Sequence, residues 1–392
     1  MSKFNTIRDI DVKGKKVLVR VDFNVPLDGE RVTDDTRIRA ALPTIKALLE
    51  KGAAVILASH LGRPKGKKDP KFSLKPAAAR LSELLGQEVI MAPDCIGEEV
   101  HKMAKELKPG QVMLLENVRF YAQETDNDEA FAKELASLAD VYVNDAFGSA
   151  HRAHASTTGV AHFLPSAAGL LMEKELNELG KLLTSAESPF VVILGGAKVS
   201  DKIGVMENLI GKADAILVGG GMAYPFLKVR GMEIGRSLCD GDLSVPKSIL
   251  DKAEGTKTKI VLPVDVVVVD EIAENAPHAN VDVTAIPADK MGVDIGAKTI
   301  ENFKEIISKA KTIFWNGPVG VFEKKPFDFG TRQIAEAVAA SGARSVVGGG
   351  DSVAALTQAG LASKITHVST GGGASLEFVE GRQLPGVVAL YK

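Results

Sequence analysis

Cysteine is almost missing from this 392-residue chain. The two present, Cys95 and Cys239, lie far apart and form no metal-ligand pattern, which fits two buried thiols in a reducing cytosol. No uninterrupted apolar run reaches the roughly 18 residues of a membrane-spanning helix. The opening MSKFNTIRDI lacks the apolar stretch of a signal peptide, so the expectation is a cytoplasmic protein without a membrane partner. Excess charge is missing too: the net value of −2 argues against bulk attraction to nucleic acid, and any anion binding must come from local clusters. Neither standard nucleotide signature occurs. No G-x-x-x-x-G-K-[ST] argues against a Walker-type phosphate loop, and no G-x-G-x-x-G weakens a dinucleotide reading.

What is present is an ordinary globular composition, 45% hydrophobic and 25% charged, at a length that favours two domains. Short apolar runs recur: KVLVRVDF, AVILAS, VMLLEN, VYVND, FVVILGG, AILVGGG, IVLPVDVVVV, TIFWNG and SVVGGG. Continuous rather than alternating apolarity is expected of strands covered on both faces. Helix-like segments such as IRAALPTIKALLEKG and DEAFAKELASLAD lie between them, which predicts α/β architecture with doubly wound parallel sheets. The strand candidates end in Asp22, Asn24, His60, Asn117, Asp145, Gly195, Gly219, Asn316 and Gly348, and open α/β sheets bind ligands beyond the carboxyl ends of their strands. The segment LPSAAGLLMEKELNELGKLLTSAESP, bracketed by Pro165 and Pro189, reads as one long helix joining two lobes.

The first half concentrates cations after those strands. Arg37, His60, Arg63, Arg119, His151, Arg152 and His154 follow strand ends or open helices, beside Asp22 and Asn24. Arginine carries a permanent charge on a planar fork that matches phosphate and carboxylate. Any one of these arginines is read most simply as a surface ion pair. Four with shared placement point to a small, highly anionic substrate. The HRAH pair lacks a clear third metal ligand, so phosphate recognition or packing is preferred.

The second half supplies strand–glycine–helix junctions, whose unbonded amides and positive dipole ends favour anions. GGAKVSDKIG puts Lys198 and Lys202 four apart, one helical face if the segment is helical, with an anion relieving their repulsion. In GGGDSVAAL, Asp351 or Ser352 is a candidate N-cap, and Asp351 also suits a nucleotide-borne Mg²⁺. HVSTGGGASLEF reads as a short strand, a glycine triplet and a helix start. A turn needing positive φ is the plainer account of the triplet; bare amides approaching a ligand are the preferred one.

These segments, from KVLVRVDFNVP through LASHLGRP, LLENVRF, NDAFGSAHRAHAST, ILGGAKVSDKI, FWNGPVGVFE and GGGDS to STGGGASLE, closely resemble the phosphoglycerate kinase family over nearly the whole chain. The resemblance implies two Rossmann-like domains joined by a long helix with a cleft between them: 1–168 binding phosphoglycerate, 169–184 the connecting helix, 185–375 binding nucleotide, and 376–392 returning to the first domain. It implies a monomer exchanging a phosphoryl group between 1,3-bisphosphoglycerate and ADP, giving 3-phosphoglycerate and ATP, with Mg²⁺, after hinge-bending closure. Asp22, Phe23, Asn24, Arg37, His60, Leu61, Gly62, Arg63, Arg119 and Arg152 would then hold the acid. Gly196, Lys202, Asn316, Glu323, Gly349, Gly350, Asp351 and Ser352 would hold the nucleotide, with Asp351 placing the metal. Arg37, Lys198, Lys202 and Gly372 would act on the transferring group. GGGMAYPFL departs from the family pattern, carrying Tyr224 and Pro225 where another aromatic or Asn followed by Thr is usual, and this bears on nucleotide preference. The attacking carboxylate is already ionised at neutral pH, so no general base is required and charge stabilisation must lower the barrier. The competing classes are a nicotinamide-dependent oxidoreductase, disfavoured by the missing fingerprint, and a two-lobed anion-binding protein, disfavoured by the Lys198/Lys202 pair.

Overall fold

The computed structural model describes residues 4–239 and 242–391. Its contacts divide the chain into two units, one built from the residues up to Asn177 plus the stretch from Gln383 onward, the other from Glu178–Arg382.

The first unit centres on six parallel strands in the spatial order Val89–Met91, Val112–Leu114, Ala54–Ala58, Lys16–Arg20, Val141–Asn144, Ser166–Ala168. Every residue of Ala54–Ala58 is buried, as the continuous apolar run requires when helices cover both faces. The helix Thr36–Glu50 buries Ile38, Ala41, Ile45 and Leu48, a three- and four-residue spacing that makes one apolar stripe. At the chain's far end Gly386 N–H donates to Ala150 O at 2.8 Å and Phe4 bridges Tyr391.

The second unit has six parallel strands in the order Lys259–Val261, Ala215–Val218, Phe190–Leu194, Thr312–Asn316, Arg344–Gly348, His367–Val368. Counted along this unit the order is 3-2-1-4-5-6, the doubly wound arrangement whose switch point falls between Phe190–Leu194 and Thr312–Asn316. Ile193, Trp315 and Val347 from these strands pack with Ile300, Phe303 and Ile334 from the covering helices.

Three sequence expectations change. IVLPVDVVVV is two strands, because Pro263 between them offers no amide to a ladder: Lys259–Val261 edges the large sheet, and Asp265–Val269 is the centre of a three-stranded antiparallel sheet with His278–Asp282 and Met291–Ile295. The long helix runs only over Leu170–Thr184, since Ser166–Ala168 pairs with Val141–Asn144 instead. The Asp145 carboxylate accepts the Leu171 and Met172 amides at 2.9 and 3.2 Å and marks the helix start. Residues 376–382, expected to return with the chain's end, belong to the second unit: Asn208 Nδ2 donates to Val379 O at 2.7 Å, tying helix Gly373–Val379 to that unit.

Candidate functional site

In the first unit, the loops after Lys16–Arg20, Ala54–Ala58, Val112–Leu114 and Val141–Asn144 gather the expected cations. Arg63, Arg119 and Arg152 line one cavity of about 500 Å³ together with Lys65. Asp22 Oδ1 accepts from Arg37 NH1 at 2.9 Å and from the Asn24 amide at 3.1 Å, while Asn24 Oδ1 accepts from Gly62 N–H at 2.8 Å. Arg119 NH1 donates to Gly62 O at 3.0 Å and leaves its Nε enclosed without a partner. Backbone geometry thus locks the HLGR loop to the DFN loop and to Arg119.

The electrostatics of this cluster are unbalanced. Burial, then Arg20 and Arg152, pull the Arg119 guanidinium down to about 10. Burial, then Arg119 and Arg20, lower His154 to about 4. His60 falls well below its ordinary value through burial, with Arg20, Arg119 and Arg37 adding to it. Both histidines are therefore neutral at physiological pH, and the positive charges repel one another. A larger cavity of about 620 Å³ shows the contrast: there Arg39 and Arg80 both pair with Asp35, at 2.8 and 2.7 Å, so its charges are already matched. Among the described residues Arg63, Arg119 and Arg152 form no ion pair, which is the condition of a site awaiting an anion.

Two expected acid-binding residues serve differently. Phe23 is fully buried, with its amide donating to Ser59 Oγ and its carbonyl accepting from Val25 N–H. Leu61 is buried and its carbonyl accepts from Asn117 Nδ2. Their side chains build the wall under the loop because the runs DF and HL continue the core past the strand ends. Sequence reasoning also missed Arg20 and Glu124, both fully buried, the first inside a strand and the second in a short helix, where charge is least expected.

In the second unit the glycine loops line the carboxyl edge of adjacent strands. At the switch point the bare backbones of Gly195 and Gly317 approach so closely that a Cβ on either would run into the other loop. Beside them lies a cavity of about 430 Å³ bordered by Gly196, Gly221, Leu238, Pro318, Glu323 and Asp351. Its apolar walls and bare amides suit a flat heterocycle joined to an anionic tail. Tyr224 also borders it and is 3% exposed, its ring resting on Gly292.

Lys202 is 9% exposed and donates to Asn316 Oδ1, while Asn316 Nδ2 is enclosed without a partner. Burial lowers the Lys202 ammonium, with Asp201, Asp351 and Glu380 opposing. The expected helical pairing of Lys198 with Lys202 is corrected: Gly195–Val199 is irregular, Lys198 is exposed in it, and a 3₁₀ turn spans Ser200–Lys202 before helix Ile203–Leu209. The two glycines end the strand without starting a helix. Asp351 and Ser352 are not N-caps either; Gly349, at φ +91°, holds that position and the helix is Gly350–Gln358. Ser352 is fully buried and its Oγ accepts the Gly317 amide at 2.6 Å, so it braces the switch-point loop from inside.

In the triplet, Gly371 N–H donates to Ser369 Oγ at 3.2 Å and is not bare. Gly372 caps helix Gly373–Val379 with φ +54° and ψ −119°, a conformation that favours glycine by itself, and its Cβ would meet nothing within 4 Å. The turn requirement set aside in the sequence therefore holds at Gly372. The Gly372 and Gly373 amides make no hydrogen bond among the described residues and remain available.

The family model described as phosphoglycerate kinase matches residues 7–382. A protein named phosphoglycerate kinase from Anaeromyxobacter dehalogenans (strain 2CP-C) is 60% identical over 389 residues, covering 98% of each chain. One from Triticum aestivum, named phosphoglycerate kinase, cytosolic, is 58% identical over 391 residues, covering 98% of this chain and 97% of the relative. The structure of phosphoglycerate kinase from Coxiella burnetii superimposes with a TM-score of 0.91 at 42% identity, covering 99% of both chains.

Proposed function

Because the chain belongs to the phosphoglycerate kinase family, we infer that it is an enzyme that transfers a phosphoryl group reversibly from 1,3-bisphosphoglycerate to ADP, giving 3-phosphoglycerate and ATP. The observation that carries this reading beyond kinship is the cavity lined by Arg63, Arg119 and Arg152 without a counter-charge. Three-carbon acids bearing a phosphate supply that charge at the right scale.

In this reading Asp22 and Asn24 meet the hydroxyl and acyl end of the acid, Arg37 the transferring group, and the remaining arginines with His60 the carboxylate and phosphate. Lys202, the Gly349–Gly350 turn and the free amides of Gly372 and Gly373 meet nucleotide phosphates, and Lys198 is long and exposed enough to join them. Such donors are worth most where charge develops. Glu323, bordering the cavity, meets the ribose. Asp351 is one exposed carboxylate at the cavity's edge, and no group of three His, Cys, Asp or Glu among the described residues forms a cage. A single carboxylate beside phosphates suits Mg²⁺, which when bound neutralises charge on the transferring phosphate oxygens.

In this reading the acid's residues all belong to the first unit and the nucleotide's to the second, so binding of the two substrates is separable by mutation. A monomeric state and a cytosolic location belong to the same proposal. The location is supported by the relative named cytosolic and by the absence, among the described residues, of a helix long and apolar enough to cross a membrane. The test is ATP-dependent phosphorylation of 3-phosphoglycerate, coupled to reduction of the acyl phosphate. Oxidation of a nicotinamide cofactor by this chain alone, without ATP, would overturn it.

A further inference from the structure

Behind the cationic cavity the first unit holds a buried chain of polar groups for which the proposed chemistry has no use. Glu124 and Arg20 are both 0% exposed. Glu124 Oε2 accepts the Ser156 amide at 2.9 Å, and Oε1 accepts Ser156 Oγ–H at 2.7 Å. Ser156 Oγ in turn accepts Arg20 Nε–H at 2.7 Å. The Arg20 guanidinium continues to Val21 O through NH1 and to His60 Nδ1 through NH2, the latter at 3.1 Å. Tyr142 Oη–H, donating to Ser156 O at 2.8 Å, fixes the middle of the chain from the strand beside it.

Donor and acceptor counting gives this chain a direction. Guanidinium nitrogens only donate. His60 Nδ1 therefore accepts and carries no proton, and the proton of the neutral ring sits on Nε2. That atom makes no hydrogen bond within the described protein and is not enclosed, so it opens to solvent. We propose that Glu124, Ser156 and Arg20 form a relay that holds His60 in its Nε2–H tautomer, making the imidazole an obligate donor to an oxygen of the bound acid. Arg20, Ser156 and Glu124 are positioning residues acting through His60. The reason to use a neutral histidine lies in its neighbours: an imidazolium beside Arg119 and Arg37 would add repulsion, whereas a locked neutral ring adds a donor at no charge. Glu124 supplies the counter-charge for Arg20 at one remove, which keeps a carboxylate out of the ligand's reach. This inference rests on the acid-binding reading above for the identity of the oxygen, but not for the tautomer.

The experiment is two-bond ¹⁵N–¹H correlation spectroscopy on ¹⁵N-histidine-labelled full chain at pH 7.5, with the His60 signals assigned by His60→Gln. Nδ1 should fall in the unprotonated range and Nε2 in the protonated range. Arg20→Met should show both tautomers. If Arg20→Met does not fold, Ser156→Ala and Glu124→Gln, which keep volume and backbone, carry the test. They should mix the tautomers and raise KM for 3-phosphoglycerate about fivefold with kcat unchanged, the loss of one well-aimed neutral hydrogen bond. A proton on Nδ1 in the unaltered chain overturns the relay, as do unchanged tautomer and unchanged KM in both folded variants. An unaltered chain that shows the expected tautomer but no phosphoryl transfer supports the relay and overturns the acid-binding reading instead.

Discussion

Replacing Lys202 by methionine separates what its buried charge costs the fold from the catalytic role proposed for it. Lys202 is 9% exposed, its Nζ is held by Asn316 Oδ1, and burial lowers its proton affinity. Methionine has similar length and no charge, so the fold loses one hydrogen bond and leaves Asn316 Oδ1 unpaired, a penalty of about 1–3 kcal/mol. Against this it no longer dehydrates an ammonium, a cost of similar or larger size for a charge lacking an adjacent carboxylate partner. The expected net change in unfolding free energy is near zero or stabilising. Its pH dependence follows from the direction of the shift. The folded state binds fewer protons than the unfolded one between the lowered pKa and the ordinary lysine value of 10.5, so this group adds stability as pH rises through that window. Lys202→Met removes that alkaline gain. Activity behaves oppositely: kcat should fall by roughly 10²–10³, the effect of removing one aimed donor from developing charge. Urea unfolding at pH 7 and 10 beside the coupled assay at saturating substrates measures both. A variant as active as the parent, or one that is inactive only because it is unfolded, refutes the reasoning.

Arg152→Ala should raise KM for 3-phosphoglycerate roughly 10- to 100-fold, the worth of a charged hydrogen bond, with nucleotide affinity unaltered by calorimetry. Gly372→Val forces a branched side chain onto φ +54°, where its Cβ meets no neighbour within 4 Å. Turnover should drop by about 100-fold or more with binding of each substrate kept, and full activity would remove the triplet from the chemistry. Burial drives the Asp145 carboxyl up to about 7, with the Leu171 and Met172 amides opposing. The folded state then binds more protons than the unfolded one between pH 4 and 7, so stability falls as pH rises through that window, by something on the order of 4 kcal/mol at the far side. Asp145→Asn should flatten this slope in thermal unfolding between pH 4.5 and 8.

What the sequence made legible is what local chemistry dictates. Runs such as AVILA and FVVIL are strands because continuous apolarity suits a doubly covered sheet, and the arginines after them share an edge because parallel strands end together. Illegible were features set by partners distant in the chain. Asp265–Val269 reads as a continuation of the preceding strand, and only its ladders to His278–Asp282 and Met291–Ile295 place it in a separate sheet. Ser352 reads as a phosphate contact until the Gly317 amide, 35 residues away, claims its hydroxyl. Glu124 carries no motif at all; its role depends on Ser156, 32 residues on, and on Arg20.

Arg20 and Glu124 also show why the cationic site can exist without a ligand. A buried guanidinium and three further arginines around one cavity repel, and burial alone already weakens Arg119. A carboxylate placed among them would cancel the repulsion and also compete with an anionic ligand for every donor. Setting Glu124 behind Ser156 resolves the conflict: its field reaches Arg20 and Arg119, while both its oxygens are already occupied by Ser156 donors. The same separation recurs in the second unit, where Lys202 is held by a neutral amide instead of a carboxylate. Among the described residues Arg63, Arg119, Arg152 and Lys202 are thereby left without a carboxylate partner, whereas Arg37 is already paired with Asp22 at 2.9 Å.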